Sequence, residues 1–391
     1  YPLPPQINPA FANNGNVDYW NGGNSTRPAE YDNFTVSVQR EIRPHLTVEV
    51  DYNGVAGSRL NAGLMNLNQV PMPVVNGLIA KYGTTQAISL LNSNITSAAA
   101  VAAGFTPPYA NFTNSAVQRS QTVSQSLRAF PQYLTVDAAA GGGDRTGHST
   151  YHAGILKINQ RMSGFLLFQG SYSFSKILTN ADSFSGSSGS LDAGNRSLEK
   201  SVGAFDQTHT VKLSTVFELP FGKGRHWLAQ GGFASHLVGG WRLSAIQAYN
   251  SGFPIGVTSN GTLPIFNGTN RPYVTTYDWR APLAGSSFDP NKDKYLDPSV
   301  FPVQPVGILG NAPRKNSQVR VFPNLNENVS LAKTFSVTER FRVDVRAEAF
   351  NVLNRVVFGG PQTSLNSSTF GVISSQANSP RQMQGGLKLY W

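Results

Sequence analysis

The chain has 391 residues, of which 13% are charged, 40% hydrophobic and 11% aromatic, with a net charge of +10 and no cysteine. The charged fraction is about half the roughly 25% of a typical soluble protein. With 38 glycines and 24 prolines, this composition argues against a coiled coil, a long-helix bundle, a disulfide scaffold and any cysteine-based zinc module. The longest alanine-rich run, Ser97 to Phe105, falls far short of the ~20 apolar residues of a spanning helix.

Residues 1–32 read as an extracellular loop or linker. Tyr1-Pro2-Leu3-Pro4-Pro5 has neither a basic n-region nor an apolar h-region, so the expectation is a chain that starts mid-protein or after processing. From residue 33 the signal is apolar/polar alternation with a period of two, which sorts side chains onto the two faces of a strand.

The first expected strand, 33–42, sets Phe34, Val36 and Val38 against Thr35, Ser37 and Gln39. After the turn Arg43-Pro44-His45, the strand 46–55 sets Leu46, Val48, Val50 and Tyr52 against Thr47, Glu49 and Asp51. A long connection, 53–149, is rich in small polar residues and holds a short helical pattern near Val74 to Leu91. The strand 150–161 and the turn Met162-Ser163-Gly164 lead into 164–176, where Leu166, Phe168, Gly170, Tyr172 and Phe174 oppose Gln169, Ser171, Ser173 and Ser175.

After the connection 177–205, the strand 206–219 sets Val211, Leu213, Phe217 and Leu219 against Lys212, Ser214 and Glu218. The connection 220–238 is of intermediate length. In 239–251, Trp241, Leu243, Ala245 and Tyr249 oppose Arg242, Ser244 and Asn250.

Beyond the connection 252–323, the strand 324–335 is a weaker case, because Glu327 and Lys333 share the face of Leu325, Val329, Leu331 and Phe335. The turn Ser336-Val337-Thr338 precedes the clearest strand, 339–351. There Phe341, Val343, Val345, Ala347 and Ala349 lie on one face and Arg342, Asp344, Arg346 and Glu348 on the other. The connection 352–380 leads to the last strand, 381–391, with Leu387, Leu389 and Trp391 against Lys388 and Tyr390.

Nine strands of about ten residues match the length of transmembrane strands rather than the five or six residues usual in soluble sheets. Short turns alternate with long polar connections, as in a barrel with short periplasmic turns and long extracellular loops. Aromatic residues gather at strand ends, where a girdle at the membrane interface lies. The expected fold is therefore all-β: a partial transmembrane antiparallel β-barrel of about nine long strands over 33–391. Closed single-chain barrels have even strand numbers, so nine reads as a fragment.

Catalytic chemistry has little support. His148 and His152 stand four apart, a metal-ligand spacing on a helix, but read as solvated loop histidines. His209 lies near Asp206 without any nucleophile motif. Gly141-Gly142-Gly143 reads as a flexible loop rather than a phosphate cradle. Asp344 and Glu348 read as ion-paired carboxylates beside Arg342 and Arg346. The expectations are no enzyme, no cofactor, no metal and no nucleic-acid partner.

Several segments resemble the C-terminal barrel of TonB-dependent outer-membrane receptors, in the Oar-like group found in Acidobacteria. They are Ser149-Thr150-Tyr151-His152, Gln160-Arg161-Met162-Ser163-Gly164 and Ser171-Tyr172-Ser173-Phe174-Ser175-Lys176. Further on come Phe205-Asp206-Gln207-Thr208-His209, Glu218-Leu219-Pro220-Phe221-Gly222-Lys223-Gly224, Gly239-Gly240-Trp241-Arg242-Leu243-Ser244, Ser251-Gly252-Phe253-Pro254 and Arg346-Ala347-Glu348-Ala349-Phe350-Asn351-Val352-Leu353-Asn354. The ending Gln384-x-Gly386-x-x-Leu389-x-Trp391 resembles the signal read by the barrel-assembly machinery.

The resemblance implies a barrel of about twenty-two strands enclosing a plug, with no plug and no TonB box in these residues, and TonB engaged through an N-terminal part absent here. It implies an outer-membrane receptor or transporter that binds an extracellular small-molecule or polymer nutrient and passes it through a plugged lumen. The alternative is a non-transporting outer-membrane or surface β-protein for adhesion, secretion or cell–cell contact. Glu49, Asp51, Lys212, Glu218, Arg342, Asp344, Arg346 and Glu348 are expected to face the lumen. Tyr172, Phe174, Trp241, Leu243, Tyr249, Val343, Val345 and Phe350 are expected to face lipid or form the girdle. Connections 53–149 and 252–323 are expected to contact substrate.

Overall fold

Alternation at this length produces one large antiparallel sheet in the computed structural model. The structure describes residues 16–19, 27–62, 67–115, 120–138, 144–163, 165–182, 190–222, 225–259, 271–303, 307–336, 338 and 340–391. The strands in chain order are β1 (Asn16–Tyr19), β2 (Glu30–Arg43), β3 (Leu46–Leu60), β4 (Thr135–Ala138), β5 (Gly147–Ser163), β6 (Leu166–Thr179), β7 (Ser201–Val202), β8 (His209–Glu218), β9 (Trp241–Asn250), β10 (Asn324–Ser336), β11 (Arg342–Phe350) and β12 (Gln382–Tyr390).

The main sheet follows the order β12-β11-β10-β9-β8-β6-β5-β3-β2, with the short β7 beside β6. Each of its nine long strands is hydrogen-bonded to the next long strand in the chain, in an up-and-down meander. The sheet is open, and β2 and β12 form its edges. β1 and β4 pair in parallel as a separate two-stranded unit.

All nine expected long strands are present. β2, β3 and β5 extend further than the alternation indicates, and β11 begins at Arg342, so Phe341 stands just before it. The turn between β2 and β3 is Pro44-His45, with proline pre-set for a turn and His45 at φ 72°. Its backbone N–H donates to Glu41 Oε1 at 3.1 Å. Gly164 and Val337, parts of two other expected turns, lie outside the described residues, as do Gly141-Gly142-Gly143 and most of the 1–32 linker.

The long connections are not structureless. The helical pattern near Val74 to Leu91 becomes two helices, α1 (Met72–Tyr82) and α2 (Thr84–Asn92). They break at Gly83, whose φ of 76° is a left-handed conformation that glycine adopts without steric cost. Ser97 caps α3 (Ala98–Ala102) by accepting from Ala100 N–H at 3.2 Å, and Thr122 caps α4 (Val123–Ser126) in the same way. α5 (Phe233–Val238) lies in the connection between β8 and β9.

The hydrophobic core sits in these connections and not between sheet faces. One cluster gathers Ile255, Val257, Val274, Trp279, Leu296, Phe301, Val319 and Phe370, all from 251–323 and 351–381. Trp279 is fully buried, and its indole N–H donates to Thr276 O at 3.0 Å. A second cluster, Val70, Val75 and Leu91, packs against Leu309 and so ties the first long connection to the third. Gln69 joins the first to the second: its amide donates to Asp192 Oδ1 at 2.8 Å and accepts from Ala193 N–H at 2.7 Å.

Candidate functional site

Cross-strand register defines the two faces of the sheet, because paired residues share a face. One row runs Val38–Val50–Leu156–Tyr172–Val211–Tyr249–Leu325. Another runs Phe217–Leu243–Leu331, and Leu331 continues through Ala347. This is an apolar face. Val36, Val38, Val50, Phe174, Leu243 and Leu387 are exposed on it, an unpartnered hydrophobic surface far larger than isolated apolar residues on a water-soluble fold.

The opposite face is polar. Glu49, Asp51, Lys212, Glu218, Arg342, Asp344, Arg346 and Glu348 all register on it. Tyr172, Phe174, Trp241, Leu243, Tyr249, Val343 and Val345 register on the apolar face. Phe350 does not join them. It pairs with Gln382 on the polar face, beside Asn324, Asn326, Asn328 and Asn351 around a hollow of about 350 Å³. The reason is parity: Phe350 follows Ala349, and adjacent residues of a strand point to opposite faces.

A groove of about 360 Å³ crosses the middle of the polar face, lined by Lys157, Asn159, Gln169, Ser171, Lys212 and Ser214 among others. Lys157 donates to Glu49 Oε1 and approaches Asp51 Oδ2, each at 2.8 Å, and Ser37 donates to Asp51. Glu218 pairs with Arg225 at 2.6 Å, and Arg346 with Glu348 at 3.5 Å. Gln384 donates to Glu348 at 2.6 Å. Sequence reasoning missed Lys157 because Ile155 interrupts the polar row of β5, so the alternation there is not clean.

Glu327 and Lys333 are ionised residues that register on the apolar face, and both are provided for. Glu327 accepts two bonds from Arg355 Nε, at 2.9 and 3.0 Å. Lys333 donates to the carbonyls of His236 and Leu237 at the C-terminal end of α5, where a cation is favoured. Both side chains are buried.

The aromatic residues of the apolar face form two similar clusters. Tyr52 Oη lies 2.8 Å from His152 Nδ1, and Tyr172 Oη lies 2.9 Å from His209 Nδ1. Phe34 lies tilted against the first pair and Phe174 against the second. His148 and His152 are therefore residues of β5, not loop residues, and His152 has a tyrosine partner. No group of three or more metal-ligating side chains occurs among the described residues.

Between the connections, carboxylates and guanidinium groups are interlocked. Arg271 donates to Glu199 at 2.7 and 3.3 Å. Arg314 pairs with Asp182 and donates to Glu199 O at 2.6 Å and Thr179 O at 2.8 Å. Burial pulls the Arg314 guanidinium pKa below its ordinary value, with Asp182 and Glu199 acting against that. Arg320 pairs with Asp206, whose other oxygen accepts from Ile177 N–H at 2.8 Å. These contacts pin the connections to the ends of β6 and β8, and no sequence period announces them.

At the C-terminus, Gln384 and Gly386 fall on the polar face of β12 and Leu389 on the apolar face. Trp391 follows the strand with 92% of its surface exposed. β12 is an edge strand, so one side of its backbone is open to a further strand.

A long-stranded meander with one apolar and one polar face defines a class: a barrel-type membrane protein that crosses with strands. The chain belongs to the outer membrane beta barrel domain family, whose model matches residues 1–384. It is an outer-membrane protein. No curated protein sequence matches it.

Among solved structures, it is similar to the outer membrane transporter YddB from Escherichia coli, at 10% identity and a TM-score of 0.43, over 96% of this chain and 34% of that one. It is also similar to the ferripyoverdine receptor of Pseudomonas aeruginosa, at 8% identity and a TM-score of 0.38, over 96% and 28%. The toluene transporter TodX of Pseudomonas putida matches at 9% identity and a TM-score of 0.23, over 92% and 60%. The chain thus spans about a third of the length of the first of these.

Proposed function

We propose that the chain is part of the wall of a TonB-dependent receptor, which takes up an extracellular nutrient through a plugged lumen. The apolar face meets lipid and the polar face lines the lumen. The four long connections stand outside the cell, and the short ones, with α5, face the periplasm. The Oar-like group is the subgroup to which the sequence resemblance points.

One observation carries this reading. The long connections form a cross-braced body with its own hydrophobic core at the end of the sheet from which the polar face opens. Connections that only joined strands would need no core, whereas a surface that selects a ligand needs a fixed shape. The polar groove of Lys157, Lys212, Gln169 and Ser214 lies further along the same face and suits a hydrated solute or a packed plug.

The test is binding of the intact detergent-purified protein to the soluble periplasmic domain of TonB. Association in the micromolar range, strengthened by conditioned growth medium, is the expected outcome. Absence of association with either form would replace transport with an adhesive or structural role.

A further inference from the structure

The apolar face changes character toward the ends of β5 and β6 that meet the long connections. Along β5 and β6 its paired residues run Leu156–Tyr172, Gly154–Phe174, His152–Lys176 and Thr150–Leu178. His148 and Asn180 continue the series: His148 N–H donates to Asn180 Oδ1 at 2.7 Å, and Asn180 N–H to His148 O at 3.2 Å. β7 adds the next column, with Thr179 paired to Ser201, so Lys200 is placed beside Asn180. The aromatic belt of Tyr52, Tyr172 and Phe174 is thus succeeded, on the same face, by a basic strip of His152, Lys176, His148 and Lys200.

A cavity of about 460 Å³ opens within this strip. Its floor includes Leu178 and Thr150, and Arg196, Lys200 and His148 stand around it with Ser197 and Asn180. Lys200, Lys176 and His148 are exposed, and no carboxylate stands within ion-pair distance of them among the described residues. Arg196 is only loosely compensated. Its nearest carboxylate oxygen, Asp144 Oδ2, is 3.7 Å away, and neither Arg196 Nη2 nor Asp144 Oδ2 makes a hydrogen bond.

We infer that Arg196, Lys200, Lys176 and His148 hold the phosphate headgroup of an outer-leaflet lipid, with its acyl chains along the apolar face below. The inference rests on the orientation proposed above, in which the long connections lie outside. Three features favour this occupant over a free anion. The cations sit on the apolar face, away from the polar groove. The belt beneath them is the kind of aromatic girdle found at headgroup level. The cavity joins an apolar floor to a cationic rim, which suits an amphiphile. Guanidinium and ammonium donors bind phosphate oxygens through charge-assisted hydrogen bonds, stronger than neutral ones.

The experiment uses the intact protein extracted from outer membranes in detergent, together with its Arg196→Gln/Lys200→Gln variant. Retained lipid is counted by native mass spectrometry after exchange into bisphosphorylated lipid A, the same lipid with its phosphates removed, or inorganic phosphate alone. The wild type is expected to retain the bisphosphorylated lipid, and the variant to lose about tenfold or more in affinity for it.

Equal retention by the variant, or equal retention of the dephosphorylated lipid, overturns the inference. Full displacement of the lipid by inorganic phosphate assigns the site to a free anion and also overturns it. Unchanged heat-resistant migration of the variant shows that its barrel is intact, and Lys176→Gln alone, remote from the 196–200 turn, should give a smaller loss in the same direction. Orientation is read separately in this cysteine-free chain: an impermeant maleimide on whole cells should label Ser286→Cys and spare Ala229→Cys. The reverse pattern sinks the orientation, whatever the lipid result.

Discussion

Arg271 and Glu199 stand 72 positions apart in the chain and meet in a buried two-bonded ion pair, at 2.7 and 3.3 Å. Glu199 Oε1 also accepts from Leu191 N–H at 2.8 Å, and Arg271 Nε donates to Ala312 O at 2.9 Å. One contact therefore locks the second long connection to the third. Arg271→Ala would leave the buried carboxylate with only Arg314 Nε, 3.8 Å away, at a cost of up to about 3–5 kcal/mol. Amide exchange at Leu191 should accelerate strongly, while exchange within β5 and β6 should not change. The Arg271→Met/Glu199→Met pair should be far milder than the single change. Unaltered protection of Leu191 in Arg271→Ala would show that the pair does not brace the connections.

Val345 is paired with Lys333 on one side and Leu387 on the other, in the middle of β11 on the apolar face. A charge there meets lipid hydrocarbon. Val345→Arg is expected to destabilise the barrel by about 2–4 kcal/mol, and Arg346→Gln on the polar face by much less. Denaturant unfolding in lipid vesicles measures both. Equal effects from the two would refute the assignment of the faces.

Glu327 is a buried carboxylate on the apolar face, with Arg355 bound to both of its oxygens. Removing the guanidinium by Arg355→Ala leaves that charge uncompensated, and a loss of at least about 2 kcal/mol is expected. Glu327→Gln in the Arg355→Ala background should recover part of it. The same unfolding measurement decides, and lack of any recovery would show that Arg355 acts through packing rather than charge.

Two carboxylates in the third long connection link its stability to pH. The hydrogen bond from the Arg280 side chain holds Asp278 below the ordinary aspartate pKa. A backbone N–H bond from Asn291, followed by Lys292, lowers Asp289 in the same way. Groups with depressed pKa values stabilise the folded form above their unfolded pKa and lose that contribution as pH falls through the folded value. Protease resistance of 271–303 should therefore be flat from pH 8 to about pH 5 and decline below about pH 4. Both sites are solvent-screened, so the decline should be shallow. Asp278→Asn together with Asp289→Asn should abolish it, and a decline that persists in that variant would assign the effect elsewhere.

Much of the sheet was legible without coordinates. Val343, Val345 and Ala347 against Arg342, Asp344 and Arg346 can only be a two-faced strand, and the same pattern marks most of the long strands, with β5 and β10 the less clean cases. A period of two is a local property, printed in the sequence wherever one face meets an apolar medium and the other a polar one. Phe350 shows its limit. Residue type suggested the girdle, but parity puts it on the face of Gln382.

The sequence by itself determined the nine long strands and, within each, which side chains share a face, because a period of two is a local property. Only the tertiary structure decided that the connections are a cored body rather than loose polar loops. Trp279, Phe301 and Phe370 lie far apart in an aperiodic stretch, and Arg271 and Arg314 of the third long connection converge on Glu199 and Asp182 of the second. Such contacts depend on long-range closure, which no local period encodes. The basic strip over the aromatic belt belongs to the same class: it exists because β5, β6 and β7 lie side by side, bringing His148, Lys176 and Lys200 onto one face.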